Sequence, residues 1–169
     1  MELAKPEQKD EVGVVIGVNV STRRGIRKTG VPVATLIPAL GIEGDAHAGD
    51  WHRQVSLLAE ESIDRMRALG VDVGAGDFAE NITTRGIAVP SLKIGDLVMV
   101  GDVRLEVTQI GKECHARCAI YYQAGDCVMP KEGVFTRVVA GGEIRVGDSV
   151  TVKRVGQPAN ARPHEVVTT

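Results

Sequence analysis

Aromatic side chains make up only 3% of the chain: two Phe, two Tyr and one Trp. Proteins that hold single-stranded nucleic acid need aromatic platforms for the bases, so this scarcity argues against that class. Net charge is only −2, and the basic footprint of a nucleic-acid partner is missing as well. No apolar run approaches the ~18 residues of a membrane helix; the longest candidate, residues 31–42, is interrupted by Pro32 and Pro38. Cysteines number three, an odd count, and the opening Met1-Glu2-Leu3-Ala4-Lys5-Pro6 lacks the basic and apolar regions of a signal peptide. The expectation is a cytoplasmic protein with reduced thiols, no membrane contact and no nucleic-acid partner. No dinucleotide-binding glycine fingerprint occurs, so any electrons the chain uses must come from elsewhere.

Glycine, in contrast, is plentiful at 20 residues, roughly 12% against a usual ~7%. Many glycines mean many tight turns, and the chain reads as short strands between them. Residues 12–20 are β-branched and apolar, as are 33–37. Residues 21–30 are basic and polar (Arg23, Arg24, Arg27, Lys28), either a solvated loop or a basic lip over an anionic ligand. A short strand at 54–58 leads into the one clear helix, 60–69. There Ile63, Met66 and Leu69 share a face, acids fill the first turn and Gly70 suits the C′ position. Met66 reads as core packing. A strand is expected at 79–84, a hairpin at 97–100 and 103–110 around Gly101-Asp102, and strands at 134–139, 143–146 and 150–155. Ile94-Gly95-Asp96 and Val146-Gly147-Asp148 form matching tight corners. The pattern predicts a mainly β fold, a closed β-barrel with a small helical insert. The barrel domain occupies residues 12–155, between flexible tails at 1–11 and 156–169.

The chemistry concentrates in Gly111-Lys112-Glu113-Cys114-His115-Ala116-Arg117-Cys118, directly after a strand and before Cys127. Lys112, Arg117 and His115 beside Cys114 favour its thiolate, the form that attacks electrophiles and binds soft metals. Cys114, Cys118 and Cys127, with His115 as a fourth ligand, could instead form a zinc site. Their spacing lacks the paired Cys-x2-Cys knuckle, and an iron–sulfur cluster would need a fourth cysteine. A second constellation lies in residues 41–53. Gly44-Asp45 and Gly49-Asp50 permit unusual dihedrals, His47 and His52 offer donors or acceptors near neutral pH, and Asp45 could orient a histidine. Trp51 is either a core plug or a pocket wall. Arg53 could hold a phosphate or carboxylate in a bidentate manner, or form a surface salt bridge. Asn81, unfavourable in a β stretch, either pins a turn or reads the edge of a heterocycle. Pairing of His47 with Cys114 would give acid–base logic to a nucleophile, but spacing alone cannot bring them together.

In this order, Gly41-Ile42-Glu43-Gly44-Asp45-Ala46-His47, Arg53-Gln54-Val55-Ser56-Leu57-Leu58, Glu61-Ser62, Gly76-Asp77-Phe78-Ala79-Glu80-Asn81-Ile82-Thr83, Ile94-Gly95-Asp96 and the Cys114 loop resemble the MOSC domain, the C-terminal domain of molybdenum cofactor sulfurases. The resemblance runs over about residues 12–153. It implies a β-barrel that handles molybdenum cofactor (molybdopterin) or the sulfur destined for it. Cys114 stands where the family carries sulfur or contacts molybdenum, although Glu113 replaces the usual preceding Pro, and His115 and Cys118 are additions. Under that reading Cys114 is the catalytic and metal-contacting residue, with His47 as its catalytic partner. Arg53, Asn81, Lys112, His115 and Arg117 supply cofactor-binding groups: cations for phosphate and an amide for the pterin. The aminotransferase-like domain of full sulfurases does not fit in this chain, so no pyridoxal phosphate site is expected. The implied activities are cofactor carriage or sulfur carriage. The alternatives are a molybdenum-dependent reductase of N-hydroxylated compounds, drawing on an electron-donor protein, and the zinc-binding cysteine cluster. Implied partners are the cofactor, its biosynthetic proteins and its acceptor proteins.

Overall fold

The structure is a computed structural model and describes residues 11–112 and 128–155. Among the described residues eleven strands run in chain order: β1 (Val12–Val20), β2 (Thr29–Gly30), β3 (Val33–Ile37), β4 (Gly41–Ile42), β5 (Val55–Ala59), β6 (Ile82–Arg85), β7 (Leu97–Val100), β8 (Val103–Ile110), β9 (Val134–Ala140), β10 (Gly142–Arg145) and β11 (Ser149–Lys153). Helix α1 (Glu60–Ala68) follows β5, and a short helix α2 (Met129–Glu132) precedes β9. Seven strands close on themselves in the order β11-β7-β8-β9-β5-β6-β1, because β1 pairs back onto β11. The expected closed barrel is what the chain forms. Closure leaves no long edge among these strands to template aggregation. β3, β4 and β10 make a small separate sheet in the order β10-β3-β4.

Alternation explains the interior. In β8, Val103, Leu105 and Val107 are fully buried while the residues between them are not, the period of two expected of a half-buried strand. β5 is buried along its whole length because both its faces are covered. Val55, Leu57 and Ala59 join the barrel core, whereas Leu58 joins a second cluster with Ile63, Met66, Phe78 and Phe135 around α1. β5 and β6 are the one parallel pair in the barrel, and a parallel pair needs a crossover, here provided by α1. Met66 is buried in that second cluster as its spacing predicted.

One sequence expectation needs correction. The strand expected at 79–84 begins only at Ile82. Before it the chain turns, with Ala79 at φ 61°, because the Glu80 carboxylate collects the N–H groups of Gly76 (2.7 Å) and Phe78 (3.4 Å) and the Thr83 hydroxyl (3.1 Å). Glu80 lies within the protein, entirely shielded from solvent. The strands either side of Gly141-Gly142 do not pair with each other: β9 stays in the barrel, and β10 crosses to β3.

Burial pushes the Glu80 carboxyl up to about 7, against the hydrogen bonds from Thr83, Gly76 and Phe78 that favour its ionised form. As pH rises past the ordinary carboxylate range, the unfolded chain releases this proton first. Folding stability therefore falls between about pH 4.5 and about pH 7 and levels off above. At about 1.4 kcal/mol per pH unit, the loss is on the order of 3 kcal/mol. Urea midpoints measured from pH 4.5 to 8 are expected to show this fall in the wild type and to lose it in Glu80→Gln.

Candidate functional site

Three Gly-Asp pairs do the same thing with the carboxylate. Asp77, Asp96 and Asp148 each accept the backbone N–H three residues earlier, from Gly74, Lys93 and Arg145, all at 2.8 Å. Asp45 differs. Its carboxylate reaches across to the β1–β2 loop, accepting the Ser21 N–H at 3.1 Å and the Lys28 ammonium at 2.8 Å, besides the His47 N–H at 3.1 Å. Two loops, residues 21–28 and 43–54, are clamped together by this one carboxylate and by Ala46 N–H donating to Ser21 O at 2.8 Å.

Lys28 is not part of the solvated face of its basic loop. Its side chain is wholly buried. An ammonium carries three hydrogens, and three acceptors surround this one: Asp45 Oδ1, the Ser21 hydroxyl at 3.0 Å and His47 Nδ1 at 3.0 Å. Burial raises the Asp45 carboxyl, but the hydrogen bonds from Lys28 and Ser21 and the charge of Lys28 outweigh it and hold Asp45 far below the usual carboxylate range. The geometry also settles the His47 ring. Lys28 can only donate, so Nδ1 accepts and the ring hydrogen sits on Nε2. His47 thus offers its surroundings an N–H, not a lone pair.

Trp51 is the platform on which these loops meet. Its indole N–H donates to His47 O at 2.7 Å, and its ring stacks on the His47 ring at 6.2 Å and 7° between planes. The Arg24 guanidinium lies 4.6 Å and that of Arg53 4.7 Å from the Trp51 ring centre, within cation–π range. Arg53 also lies 5.4 Å from the Phe135 ring. Neither guanidinium has a carboxylate partner among the described residues, whereas Arg27 pairs with Asp77 at 3.5 Å. Trp51 is half-buried and lines an open cleft of about 680 Å³. Of the two roles its sequence context allowed, it takes the pocket wall.

The root of the cysteine segment lies beside this assembly. The Gln109 amide donates to Gly111 O at 2.8 Å, and its oxygen faces His52 Nε2 at 2.8 Å. Gly111 N–H bonds Gly133 O at 2.7 Å and Lys112 N–H bonds Pro130 O at 3.1 Å, fastening the end of β8 to α2. His52 therefore ties the 43–54 loop to the strand from which the cysteine loop departs, a juxtaposition no spacing rule reveals. Lys112 is half-buried at that root. Cys114, His115 and Arg117, together with Cys118 and Cys127, lie outside the described residues. Asn81 belongs elsewhere. It is fully buried, its oxygen accepts the Ser56 N–H (3.0 Å) and hydroxyl (3.2 Å), and its amide donates to Asn19 O at 3.1 Å. Of the two roles left open for it, the structure supplies the pin: it joins β5 and β1 beside β6 and is closed off from any ligand.

The family model for the MOSC domain matches residues 44–151. The chain belongs to the MOSC domain family. Among solved structures, the YuaD protein from Bacillus subtilis matches this MOSC chain with a TM-score of 0.73 at 16% identity, covering 85% of this chain and 97% of that one. YiiM from Geobacillus stearothermophilus gives a TM-score of 0.62 at 19% identity, covering 84% of this chain and 75% of its own. YiiM from Escherichia coli gives 0.58 at 21% identity, covering 88% and 71%. At such identities the likeness is one of fold. No curated protein matches the chain. Among the described residues no helix is long and apolar enough to cross a membrane.

The MOSC family is linked to molybdenum cofactor, so the residues present must be asked whether they fit that group. They do on one count that the geometry decides. The cofactor is an anionic pterin with a phosphate, and the site displays two guanidiniums that have no carboxylate partner among the described residues and one imidazole N–H, braced by a buried ion pair.

Proposed function

We propose that this MOSC barrel binds molybdenum cofactor, with Cys114 as the thiolate that contacts molybdenum or carries one sulfur to it. The observation that supports this reading is the pair Arg24 and Arg53 flanking Trp51 with no carboxylate to neutralise either among the described residues. Guanidiniums free of protein anions are suited to a phosphate, which they grip through paired N–H groups. When bound, the cofactor supplies a redox-active metal held by soft sulfur donors. The chain's own residues do the rest. Arg24 and Arg53 take the phosphate. His47 donates Nε2–H, its tautomer fixed by Lys28. Asp45 and Lys28 stay inside and hold the two loops in register. A soft thiolate at Cys114 suits molybdenum or a persulfide, and Lys112 at the loop's root adds a cation near it.

The test is the pterin content of protein purified from a molybdate-replete host, read by fluorescence after oxidative release. Each charge-assisted contact is worth about 1.5–3 kcal/mol, so Arg24→Ala with Arg53→Ala is expected to lower cofactor affinity by at least about a hundredfold. Arg27→Ala, whose charge is already paired with Asp77, is expected to leave it within about twofold. Equal retention in the double variant and the wild type would overturn the assignment of the phosphate to these residues.

A further inference from the structure

A half-buried arginine is ordinarily held in place by a carboxylate. Arg53 is half-buried, yet its guanidinium makes no hydrogen bond and no ion pair among the described residues. It lies instead against two rings, 4.7 Å from the centre of Trp51 and 5.4 Å from that of Phe135. Rings attract a guanidinium without occupying its N–H groups. They can orient it only if the backbone that carries Arg53 is fixed relative to them, and that fixing comes from β8.

β8 and β9 pair regularly from Leu105↔Val138 to Val107↔Thr136. Gln109 then stands opposite Phe135, and Thr108 is left over. Such an extra residue is a β-bulge, which re-aims the side chains beyond it. Strict alternation would send Gln109 into the barrel after Val103, Leu105 and Val107. Residues paired across strands share a face of the sheet. The bulge therefore turns Gln109 to the face of Phe135, which belongs to the cluster around α1 and not to the barrel core.

Both residues at the bulge take hold of His52. The Thr108 hydroxyl donates to His52 O and lies 3.2 Å from Phe135 O. Gly111 O can only accept, so the Gln109 nitrogen faces it at 2.8 Å, and the Gln109 oxygen accepts from His52 Nε2 at 2.8 Å. Gly111 is itself tied to Gly133 O at 2.7 Å, so the Gln109 amide has a fixed base. The His52 ring is exposed and adds little to the core. It serves as an anchor, and its neighbours along the chain are Trp51 and Arg53.

We infer that the β8 bulge is the positioning element for Arg53. Thr108 and Gln109 fix His52, and the fixed backbone presents the Arg53 guanidinium across Trp51 and Phe135 with its N–H groups open to an oxyanion. A preordered side chain loses less freedom on binding than a loose one, and the difference appears as affinity. That the oxyanion is a phosphate rests on the proposed function; the ordering of Arg53 does not.

Relaxation of the Arg53 Nε–H signal in pterin-free protein reads this ordering without any ligand. Its order parameter is expected near the ~0.85 of a rigid site, with exposed Arg23 below ~0.6. Gln109→Leu and Thr108→Val, made separately and checked for an unchanged fold by far-UV circular dichroism, should each bring Arg53 toward the flexible value. His52→Ala should do so too, and His52→Gln, which keeps an N–H for Gln109, should restore it. Trp51 is the only tryptophan in the chain, so its emission follows a titration with inorganic phosphate. Gln109→Leu is expected to weaken phosphate binding about fivefold, the effect of one side chain left to be ordered on binding. This loss should persist in an Arg24→Ala background and shrink to within about twofold in Arg53→Ala. A merely loosened fold would lose affinity in both. An Arg53 as mobile as Arg23 in the wild type, an order parameter unmoved in Gln109→Leu and Thr108→Val, or a loss undiminished in Arg53→Ala would each overturn the inference. An ordered Arg53 that loosens in Gln109→Leu, in a wild type without affinity for phosphate, would overturn the phosphate assignment alone.

Discussion

Lys28→Met is expected to lower folding stability by about 3–5 kcal/mol, the cost of leaving a buried carboxylate without its cation. The Lys28 side chain is fully shielded from solvent and feeds Asp45, Ser21 and His47 at 2.8–3.0 Å. Removing it strips Asp45 of its cation and leaves two acceptors without a donor. The pH profile gives the same interaction an independent signature. The Asp45 carboxyl is held below its ordinary value of 3.8, so its contribution is fully present above that pH and is lost as pH falls through the depressed value. In Lys28→Met the acid limb of the stability curve should move to higher pH. Adding Asp45→Asn should recover part of the loss, because the unpaired charge is then gone while an oxygen remains for the Ser21 N–H. Chemical denaturation between pH 2 and 7 measures all three proteins. A loss under about 1 kcal/mol in the single variant would mean that Lys28 reaches water and that the two loops are not locked by it.

Gly76→Ala carries the other large effect, and for a different reason. A methyl group built on Gly76 would lie 2.3 Å from Lys28 O, a backbone atom, at φ +87°. Backbone cannot swing aside as a long side chain can. The contact would push apart the bond from Lys28 N–H to Gly76 O at 2.9 Å and disturb the Gly76 N–H that serves Glu80 at 2.7 Å. Strained dihedral and overlap together should cost about 4 kcal/mol or more. Gly44→Ala isolates the dihedral term: its φ is +81°, with nothing within 4 Å of the added carbon. That variant should lose only about 1–2 kcal/mol. Equal losses at the two positions, measured by thermal or urea unfolding, would show that the packing of the 74–80 turn on the Lys28 loop is not what requires glycine there.

These two residues also show where a sequence is readable and where it is not. The barrel follows from local signals: period-two alternation in β8, a Gly-Asp corner before β7 and another before β11, and an amphipathic α1 with acids in its first turn. Each is written in a few neighbouring residues. Arg53 and His47 were legible as polar groups in a glycine-rich loop. Lys28 was not, because its burial depends on Ser21 at the start of its own loop and on Asp45 and His47, both of which arrive from beyond the next strands. Asn81 was legible as an anomaly, but which partner it takes is decided by the parallel packing of β5 on β6. The same limit applies to His52. Its ring meets Gln109, 57 residues away in the chain. Asp45 shows the same limit: its carboxylate does not close its own corner as those of Asp77, Asp96 and Asp148 do, but reaches across to Lys28.

The central claim is that this barrel holds molybdenum cofactor through Cys114 and the cations beside Trp51. Elemental and pterin analysis of protein made in a molybdate-replete host, wild type beside Cys114→Ser, tests it most directly. The account predicts molybdenum and pterin together in the wild type and loss of molybdenum in Cys114→Ser. Wild-type protein that carries zinc on its cysteines and neither molybdenum nor pterin would contradict it.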